Sequence, residues 1–342
     1  MKKNILAHLV GAAVIACAGA ASAQGVSFKD KTVTIGIGSS TGGGLDTYGR
    51  LVARHFGRHI PGAPNVVPSN MPGAGGGIVA GHLYNIAPKD GTFIGLVFPG
   101  IIVEPLLLES LRKTYDPSRF NYIGNAHSET LVCFVRRDAP IKTPADLVAM
   151  PSILGATAAG STTFDFPAVV NSVLGGQIKI VTGYKGSREV TLAIERNEVQ
   201  GICGVGWSTI KVQYADVLKN ELFGRIFAQE DMKGHPELNA AGVPLMTDLA
   251  KTDSDRNVLE MFYGQSAFAR PLILPPDVSA DRIQTLRRAL DATMKDPALL
   301  EEAAKMNIDV LPSTGEQVQA LVARMYQTDI QTIERVKKAL NK

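Results

Sequence analysis

Apolar residues near the start of the chain alternate with polar or small ones, and this period of two predicts a β-strand. Val33, Ile35 and Ile37 lie on one face of the predicted strand. A glycine-rich loop follows at 38–44, and apolar residues then recur at helical spacing over 48–56. A strand, a loop and a helix in this order form the first half of a βαβ unit.

The same order of patterns returns further along the chain. Val66 and Val67 form a short strand before a second glycine loop at 73–77, and residues 93–98 form a buried strand. The alternation of strands and helices predicts α/β domains with mainly parallel sheets. It continues in the second half of the chain, where the predicted strands are 131–135, 153–156, 178–181 and 201–205.

Helix starts are indicated by pairs of residues spaced three apart. Thr162 with Asp165 has the spacing of a capping box, and Ser313 with Glu316 has the same spacing before another helix. An amphipathic helix is also predicted over 280–295. Two α/β domains with C-terminal helices are typical of a bilobed binding protein.

Composition changes this picture in one region. The chain has 342 residues, and 13 of its 34 glycines lie between Gly36 and Gly81. The hydrophobic fraction of 45% and the net charge of +3 exclude a disordered chain and leave little charge for phosphate contacts. We therefore expect no nucleic-acid partner, and the glycine excess belongs to the two strand-to-helix loops.

Residues 1–23 have the pattern of a signal peptide. Lys2 and Lys3 supply a positive start, an apolar stretch follows, and small residues at 21–23 form a cleavage site. We expect an exported protein of a bacterial periplasm. The residues before Cys17 resemble a lipobox, so lipid anchoring at Cys17 is kept as the less favoured alternative.

Two cysteines, Cys133 and Cys203, remain after the predicted signal peptide is removed. Export makes a disulfide chemically feasible. Both cysteines lie in apolar segments, however, where buried free thiols are equally natural. The sequence therefore leaves their pairing open. It has no Cys/His spacing typical of a metal site, so we predict no metal.

The first glycine loop has the composition of an anion-binding turn. Backbone N–H groups can approach an anion there, and the helix N-terminus adds a partial positive charge. Nucleotide-binding spacings fail, because Gly44-Leu45 stands where a P-loop needs Lys-Ser/Thr, and Gly36-x-Gly38 is followed by Thr41 instead of glycine. We therefore predict no cofactor.

Three such loops are expected to converge on one cleft. The first two follow adjacent strand ends, where ligands of parallel sheets bind, and a third at 160–163 faces them from the second domain. Three helix N-termini suit a carboxylate. Asp46 caps the first helix or reaches the ligand. Trp207 lies in the core or supplies an apolar wall for the ligand, and the wall is favoured because glycines precede it. The predicted ligand-binding residues are Ser39, Ser40, Thr41, Gly42, Gly43, Asp46, Gly73, Ala74, Gly75, Gly76, Gly160, Ser161, Thr162, Thr163 and Trp207.

An enzymatic alternative rests on the segment from Gly38 to Gly42, which matches the GxSxG nucleophile elbow with Ser40 as the nucleophile. Only one strand precedes this segment, whereas a hydrolase sheet is largely built before its nucleophile. After residue 200 the chain has one histidine, His235, in a polar turn. A non-enzymatic protein is the favoured hypothesis, and a secreted serine hydrolase is the alternative.

Seven short motifs, in order from about residue 32 to the C-terminus, resemble the receptors of tripartite tricarboxylate transporters. These receptors are periplasmic solute-binding proteins, also called the Bug family. The motifs are Gly42-Gly43-x-x-Asp46-x-x-Gly49-Arg50, Asn70-x-x-Gly73-Ala74-Gly75-Gly76, Ala87-Pro88-Lys89-Asp90-Gly91, Thr143-Pro144-Ala145-Asp146-Leu147, Gly160-Ser161-Thr162, Tyr184-Lys185-Gly186 and Pro275-Pro276-Asp277-Val278. One departure is Gly49, where the family usually has alanine.

The resemblance implies a two-lobed periplasmic-binding fold of the second type, each lobe a sheet flanked by helices, with the ligand cleft between the lobes. Residues 24–125 and 267–342 would form lobe one, and 126–266 lobe two. It also implies a monomer that closes by a hinge around a small organic carboxylate. The ligand would pass to a permease with one large and one small integral-membrane subunit. A periplasmic sensor for a signalling partner shares the fold and is a further alternative.

Overall fold

The computed structural model describes residues 26–42, 44–157, 161–184, 186–213 and 224–340, with the backbone alone at 212 and 213. Several residues of the sequence predictions lie outside these ranges, namely the signal peptide 1–23 with Cys17, Gly43, Gly160 and Lys185.

Within the described ranges, eleven strands form two sheets. The strands are β1 (Thr32–Ile37), β2 (Asn65–Asn70), β3 (Phe93–Leu96), β4 (Asn121–Asn125), β5 (Leu131–Val135), β6 (Ser152–Gly155), β7 (Ile178–Val181), β8 (Gly201–Gly206), β9 (Arg225–Glu230), β10 (Pro271–Leu274) and β11 (Ser313–Thr314).

Helices cover the faces of both sheets. None of those in the described part is long and apolar enough to cross a bilayer. The α-helices are α1 (Gly44–Phe56), α2 (Gly77–Asn85), α3 (Gly100–Leu107), α4 (Glu109–Arg112), α5 (Asp146–Ala149), α6 (Thr162–Leu174), α7 (Ser187–Glu195), α8 (Trp207–Gln213), α9 (Pro236–Ala240), α10 (Asp253–Tyr263), α11 (Ala280–Thr293), α12 (Pro297–Lys305), α13 (Gly315–Met325) and α14 (Ile330–Leu340).

In each sheet, a strand lies between two neighbours that run in the opposite direction. Sheet one runs β11-β4-β10-β3-β1-β2, and sheet two runs β7-β6-β8-β5-β9. In sheet one, β1 is parallel to β2 and β3, whereas β10 is antiparallel to β3 and β4. In sheet two, β6 is parallel to β7 and β8, whereas β5 is antiparallel to β8 and β9. The sheets are therefore mixed instead of mainly parallel, because each contains one strand that enters from the other lobe.

The chain passes between the sheets twice, and the two passages lie side by side. The first follows β4 and the second precedes β10. The N–H of Ala126 donates to the carbonyl of Arg270 at 3.0 Å, and the N–H of Arg270 donates to Oδ1 of Asn125 at 2.8 Å. These bonds hold the two crossings together at the edge of both sheets.

Helix α1 buries its apolar face against sheet one. Leu45, Leu51 and Phe56 are each at most 1% exposed in the core that also contains Ile37 of β1. Burial of one such side chain stabilises the fold by about 1.5–3 kcal/mol. A Cβ at Gly49 would lie 2.6 Å from Cδ1 of Ile37, so α1 approaches β1 closely at this glycine.

Two predicted helix caps are corrected by one residue. The N-cap of α6 is Ser161 instead of Thr162. Helix α13 begins after Thr314, whose side chain forms a capping box with Gln317. The predicted pair Ser313–Glu316 is wrong because Ser313 is engaged in β11, where it pairs with Asn125 of β4.

A disulfide joins Cys133 of β5 to Cys203 of β8, which answers the question that the sequence left open. Both cysteines are fully buried. Among the described residues, the group that could hold a metal consists of these two cysteines and Glu230. The disulfide leaves no thiolate there to bind a metal ion.

The disulfide closes a separation of 70 residues, so its removal should destabilise the protein. We expect the double variant Cys133→Ala/Cys203→Ala to lose roughly 2–4 kcal/mol of the free energy of unfolding, because the unfolded chain regains conformational entropy. Urea denaturation with and without dithiothreitol measures this loss. Dithiothreitol should destabilise the wild type and leave the variant unchanged, and equal responses would contradict the disulfide.

Candidate ligand-binding site

The first two glycine loops meet at the carboxyl edge of sheet one. β1 and β2 are adjacent and parallel, with Ile37 opposite Asn70 at their carboxyl ends. The N–H of Met71 donates to the carbonyl of Ile37 at 2.8 Å. A Cβ at Gly38 would lie only 3.0 Å from the Cα of Gly76, so the two loops touch through their backbones. The first two loops therefore meet at one edge of the sheet, and the convergence of all three loops on one cleft stays a prediction.

The second loop has an unusual backbone, with positive φ at four successive residues. Gly73, Ala74, Gly75 and Gly76 have φ of 130°, 46°, 60° and 98°. Side chains with a Cβ rarely adopt such values. A Cβ at Gly75 would meet no atom within 4 Å, and Gly75 is exposed, so this turn faces open space at the start of α2.

One buried carboxylate braces the two loops. Oδ2 of Asp46 accepts from the N–H of Gly42 at 2.8 Å, and Oδ1 accepts from Nδ2 of Asn70 at 2.8 Å. Nε of Arg50 donates to the same carboxylate at 2.9 Å. Asn70 also donates from Nδ2 to the carbonyl of Ser39 at 2.9 Å. Asp46 thus holds the first loop against the end of β2.

Asp46 is 2% exposed, yet it keeps its charge. Burial raises its pKa, but the hydrogen bonds from Arg50, Gly42 and Asn70 outweigh burial and hold the pKa at about 2. The contacts of Asp46 are those of a brace and helix cap, and a direct contact with a ligand stays a prediction.

The hydroxyl groups of the first loop lie at its surface. Ser40, Thr41 and Gly42 are exposed and Ser39 is half-buried. Among the described residues, no histidine or carboxylate forms a hydrogen bond with the Ser40 hydroxyl. A serine nucleophile needs such a base, so the geometry does not support the hydrolase alternative.

The third loop presents three hydroxyl groups at the N-terminus of α6. Oγ of Ser161 lies 2.8 Å from Oγ1 of Thr157 and 2.9 Å from Oγ1 of Thr163. Oγ1 of Thr162 donates to the carbonyl of Gly204 at 2.7 Å. Thr162 is exposed and Thr163 is buried. The beginning of α6 shares a small cavity with α3, which follows β3 in sheet one.

The buried carboxyl group of Glu230 supports the third loop through Gly204. The N–H of Gly204 donates to Oε2 of Glu230 at 2.6 Å, and Glu230 is fully buried. Burial raises the pKa of Glu230 to about 8, so its carboxyl group is protonated at neutral pH. Gly204 has φ of 71° and packs on the carbonyl of Thr162, where a Cβ would clash. The loop is therefore anchored without a negative charge beneath it.

Trp207 lies in the core of the second lobe. It is 8% exposed and shares a hydrophobic cluster with Val132 and Leu238. Its indole N–H donates to Glu237 at 2.9 Å, and Nζ of Lys211 lies 5.7 Å from its ring centroid. These contacts give Trp207 a packing role, and contact with a ligand stays a prediction.

The sequence analysis missed a group of polar side chains where the two crossings meet α1. Tyr48 stacks on His127 with ring centroids 5.3 Å apart, and the guanidinium carbon of Arg270 lies 5.3 Å from the centroid of Tyr48. A Cβ at Gly44, the first residue of α1, would lie 3.7 Å from Nη2 of Arg270. Burial lowers the pKa of Arg270. No spacing rule marks these residues, because the fold brings them together from distant segments.

Comparison with known protein sequences gives a distant relative. No protein-family model matches the chain. Among curated proteins it is 25% identical over 287 residues to a UPF0065 protein of Agrobacterium vitis, encoded in the TAR-I ttuE-ttuC' intergenic region. That alignment covers 82% of this chain and 76% of the relative.

Solved structures extend the comparison to the fold. A TctC solute-binding protein from Polaromonas superposes with a TM-score of 0.72 at 19% identity, over 91% of this chain and 100% of that one. The R. palustris protein Rpa4515, solved with adipate, superposes with a TM-score of 0.59 at 20% identity, over 91% and 97%. The chain therefore has the two-lobed α/β fold of the TctC- and Bug-type periplasmic binding proteins, and the resemblance found in its sequence is confirmed.

The brace at Asp46 predicts a pH-dependent loss of stability. Because the folded pKa of about 2 lies below the ordinary aspartate value of 3.8, the charged carboxylate stabilises the fold above pH 4, and this contribution disappears as the pH falls through 2. We expect Asp46→Asn to cost about 2 kcal/mol at pH 7. Urea denaturation as a function of pH measures the difference.

Glu109→Gln, which removes an exposed carboxylate, provides the control and should change stability little. A cost for Asp46→Asn that persists undiminished toward pH 2 would show that the charge of Asp46 is not the source of the bracing.

Proposed function

We propose that the protein is an extracytoplasmic receptor that captures a small organic carboxylate between its two lobes. The observation that carries this proposal is the meeting of two glycine loops at the starts of α1 and α2, braced by Asp46. Backbone N–H groups at helix N-termini favour an anion. The exposed hydroxyl group of Ser40 adds a donor of the kind that a carboxylate accepts, whereas that of Thr41 donates to Oδ1 of Asn70 at 3.2 Å.

A carboxylate fits these loops better than a nucleotide phosphate does. The loops lack the lysine and hydroxyl pair of a P-loop and the third glycine of a dinucleotide loop. One structural neighbour was solved with adipate, an acid with two carboxylates. We propose that the first two loops hold one end of such an acid, and that Ser161 and Thr162 of the third loop close over the other end.

Closure would occur by rotation of the lobes about the paired crossings. In this proposal, lobe one comprises residues 24–125 and 267–342, and lobe two comprises 126–266. Lys211 of α8 forms an ion pair with Asp309 at 2.9 Å, and Asp309 precedes β11 of sheet one. Opening of the cleft would separate these two side chains, so their ion pair favours the arrangement described here.

Delivery of the ligand to a membrane permease with a large and a small subunit is the role that the family resemblance suggests. A periplasmic sensor would use the same cleft and hinge. Uptake of a radiolabelled carboxylate separates the two roles, because a strain that lacks a transport receptor loses uptake, whereas a strain that lacks a sensor retains the transporter itself.

The positive-φ turn at 73–76 predicts a large effect of one small substitution. Gly75→Val should bind adipate, or whichever acid of a mono-, di- and tricarboxylate panel stabilises the wild type most, about tenfold more weakly or worse. A β-branched residue resists positive φ, so the turn must change its path. Isothermal titration calorimetry measures the affinity, and a thermal-shift screen selects the acid.

Gly242→Val is the matched control for this substitution. Gly242 has φ of 72°, a Cβ there also meets no atom within 4 Å, and the residue follows α9, away from the loops. It should lose stability as Gly75→Val does and retain its affinity. Equal losses of affinity in the two variants would contradict a carboxylate site at the glycine loops, as would a wild type that binds no carboxylate.

Hinge closure predicts a change of shape on binding. Small-angle X-ray scattering should give a smaller radius of gyration at saturating ligand than without ligand, because the lobes approach each other. Disruption of the lobe-bridging ion pair by Asp309→Asn should enlarge the ligand-free radius relative to the wild type. Identical scattering curves with and without a ligand that calorimetry shows to be bound would contradict closure.

A further inference from the structure

Arg270 stands where the second crossing enters β10, at the same edge of sheet one as the two glycine loops. We propose that its guanidinium binds a carboxylate of the ligand directly, in the corner between its side chain and the N-terminus of α1. This inference rests on the proposed function. It adds a charged side chain to a site otherwise built from backbone amides and hydroxyl groups.

The guanidinium is held in a fixed position. The backbone N–H of Arg270 donates to Oδ1 of Asn125 at 2.8 Å, and Nη1 donates to the carbonyl of Ala269 at 2.8 Å. One face of the group lies over the ring of Tyr48, with 5.3 Å between the guanidinium carbon and the ring centroid. An arginine held in this way loses little conformational freedom when it binds an anion.

The guanidinium of Arg270 faces the positive end of a helix, a position that favours an anion beside it. Nη2 comes within 3.7 Å of the place of a Cβ at Gly44, so the guanidinium faces the first turn of α1. Helix α1 has 13 residues, and its N-terminus carries a partial positive charge. Two positive groups so close repel each other, and a carboxylate between them would be attracted by both.

Among the described residues, the nearby acid Glu129 interacts with the guanidinium without forming an ion pair with it. Arg270 forms no ion pair with any carboxylate in the described ranges, and its Nε is buried without a hydrogen-bond partner. The oxygens of Glu129 are already engaged, since Oε2 accepts from Oγ of Ser208 at 2.5 Å and Oε1 accepts from the N–H of Ser208 at 3.2 Å.

His127 also faces Glu129, with 3.5 Å between Nε2 and Oε2. The guanidinium therefore retains free donors toward the corner at α1. Such donors match a planar carboxylate, which can accept two parallel hydrogen bonds. The ligand class that follows is an acid whose carboxylate enters this corner, and neutral analogues such as amides should be rejected.

The test compares Arg270→Gln with Arg282→Gln by calorimetry, with adipate as the probe. Arg282 is a matched control because it also donates to a backbone carbonyl, that of Asp90, and also lies over a ring, that of Phe28 at 5.2 Å. We expect Arg270→Gln to bind adipate about 30-fold more weakly or worse, and Arg282→Gln to bind as the wild type does.

Arg270→Lys keeps the charge and loses the planar fork, so its affinity should fall between those of the wild type and Arg270→Gln. It also covers the case in which Arg270→Gln fails to fold, which circular dichroism reports. An affinity of Arg270→Gln within about threefold of the wild type would overturn the proposal, because a desolvated charge pair contributes more than this. If Arg270→Gln does not fold, an affinity of Arg270→Lys equal to that of the wild type would overturn it.

A second measurement separates this inference from the proposed function. The melting temperature is compared in sodium acetate and in sodium chloride at equal ionic strength. Acetate should stabilise the wild type more than chloride does, and this difference should vanish in Arg270→Gln and shrink in Arg270→Lys. A wild type that fails to bind adipate but keeps the acetate effect would refute the proposed ligand and support the anion corner. Equal acetate effects in all proteins would refute the corner.

Discussion

The contact on which the site depends is the hydrogen-bonded carboxylate of Asp46. Two glycine loops that face open space have little packing of their own to hold them, and the second loop holds Ala74 at a positive φ, which a residue with a Cβ rarely adopts. Asp46 joins them, because it accepts from Gly42 in the first loop and from Asn70 at the end of β2. Arg50, one turn further along α1, completes the pairing and keeps the buried charge stable.

The electrostatics of the cleft follow from this brace. The carboxylate of Asp46 is paired with Arg50 and accepts hydrogen bonds from Gly42 and Asn70, so its repulsion of an anion at the loops is weak. Burial raises the pKa of Glu230, next to the third loop, to about 8, so this acid is protonated at neutral pH. What the loops present is the positive end of α1 and α2 together with exposed hydroxyl groups. A receptor built in this way would recognise charge and shape through its backbone and could vary its ligand through a few side chains such as Arg270.

Much of the fold could be predicted from the sequence, because each lobe begins with strands and helices that are local in the chain. The strands from β1 to β3 and from β5 to β8 follow directly from apolar patterning, as do the glycine loops at their ends. β4, β9 and β10 were missed. β10 has only four residues, all of them buried, and its place between β3 and β4 is set by the return of the chain from the other lobe.

The site was predictable in part, and the reason is again locality. The glycine loops and Asp46 lie within one continuous region, whereas Arg270 and His127 reach the same corner from the two crossings. The disulfide was undecidable from the sequence because only the pairing of β5 with β8 brings Cys133 and Cys203 together. The cap of α13 was displaced by one residue because β11 takes up Ser313.

The most direct test of the account is a crystal structure of the wild-type protein with the carboxylate that stabilises it most. We expect one carboxylate group within hydrogen-bonding distance of backbone amides in both glycine loops, with its charge facing the start of α1. A ligand bound elsewhere, for example in the crevice between α8 and α12, or one whose carboxylate points away from the loops, would contradict it.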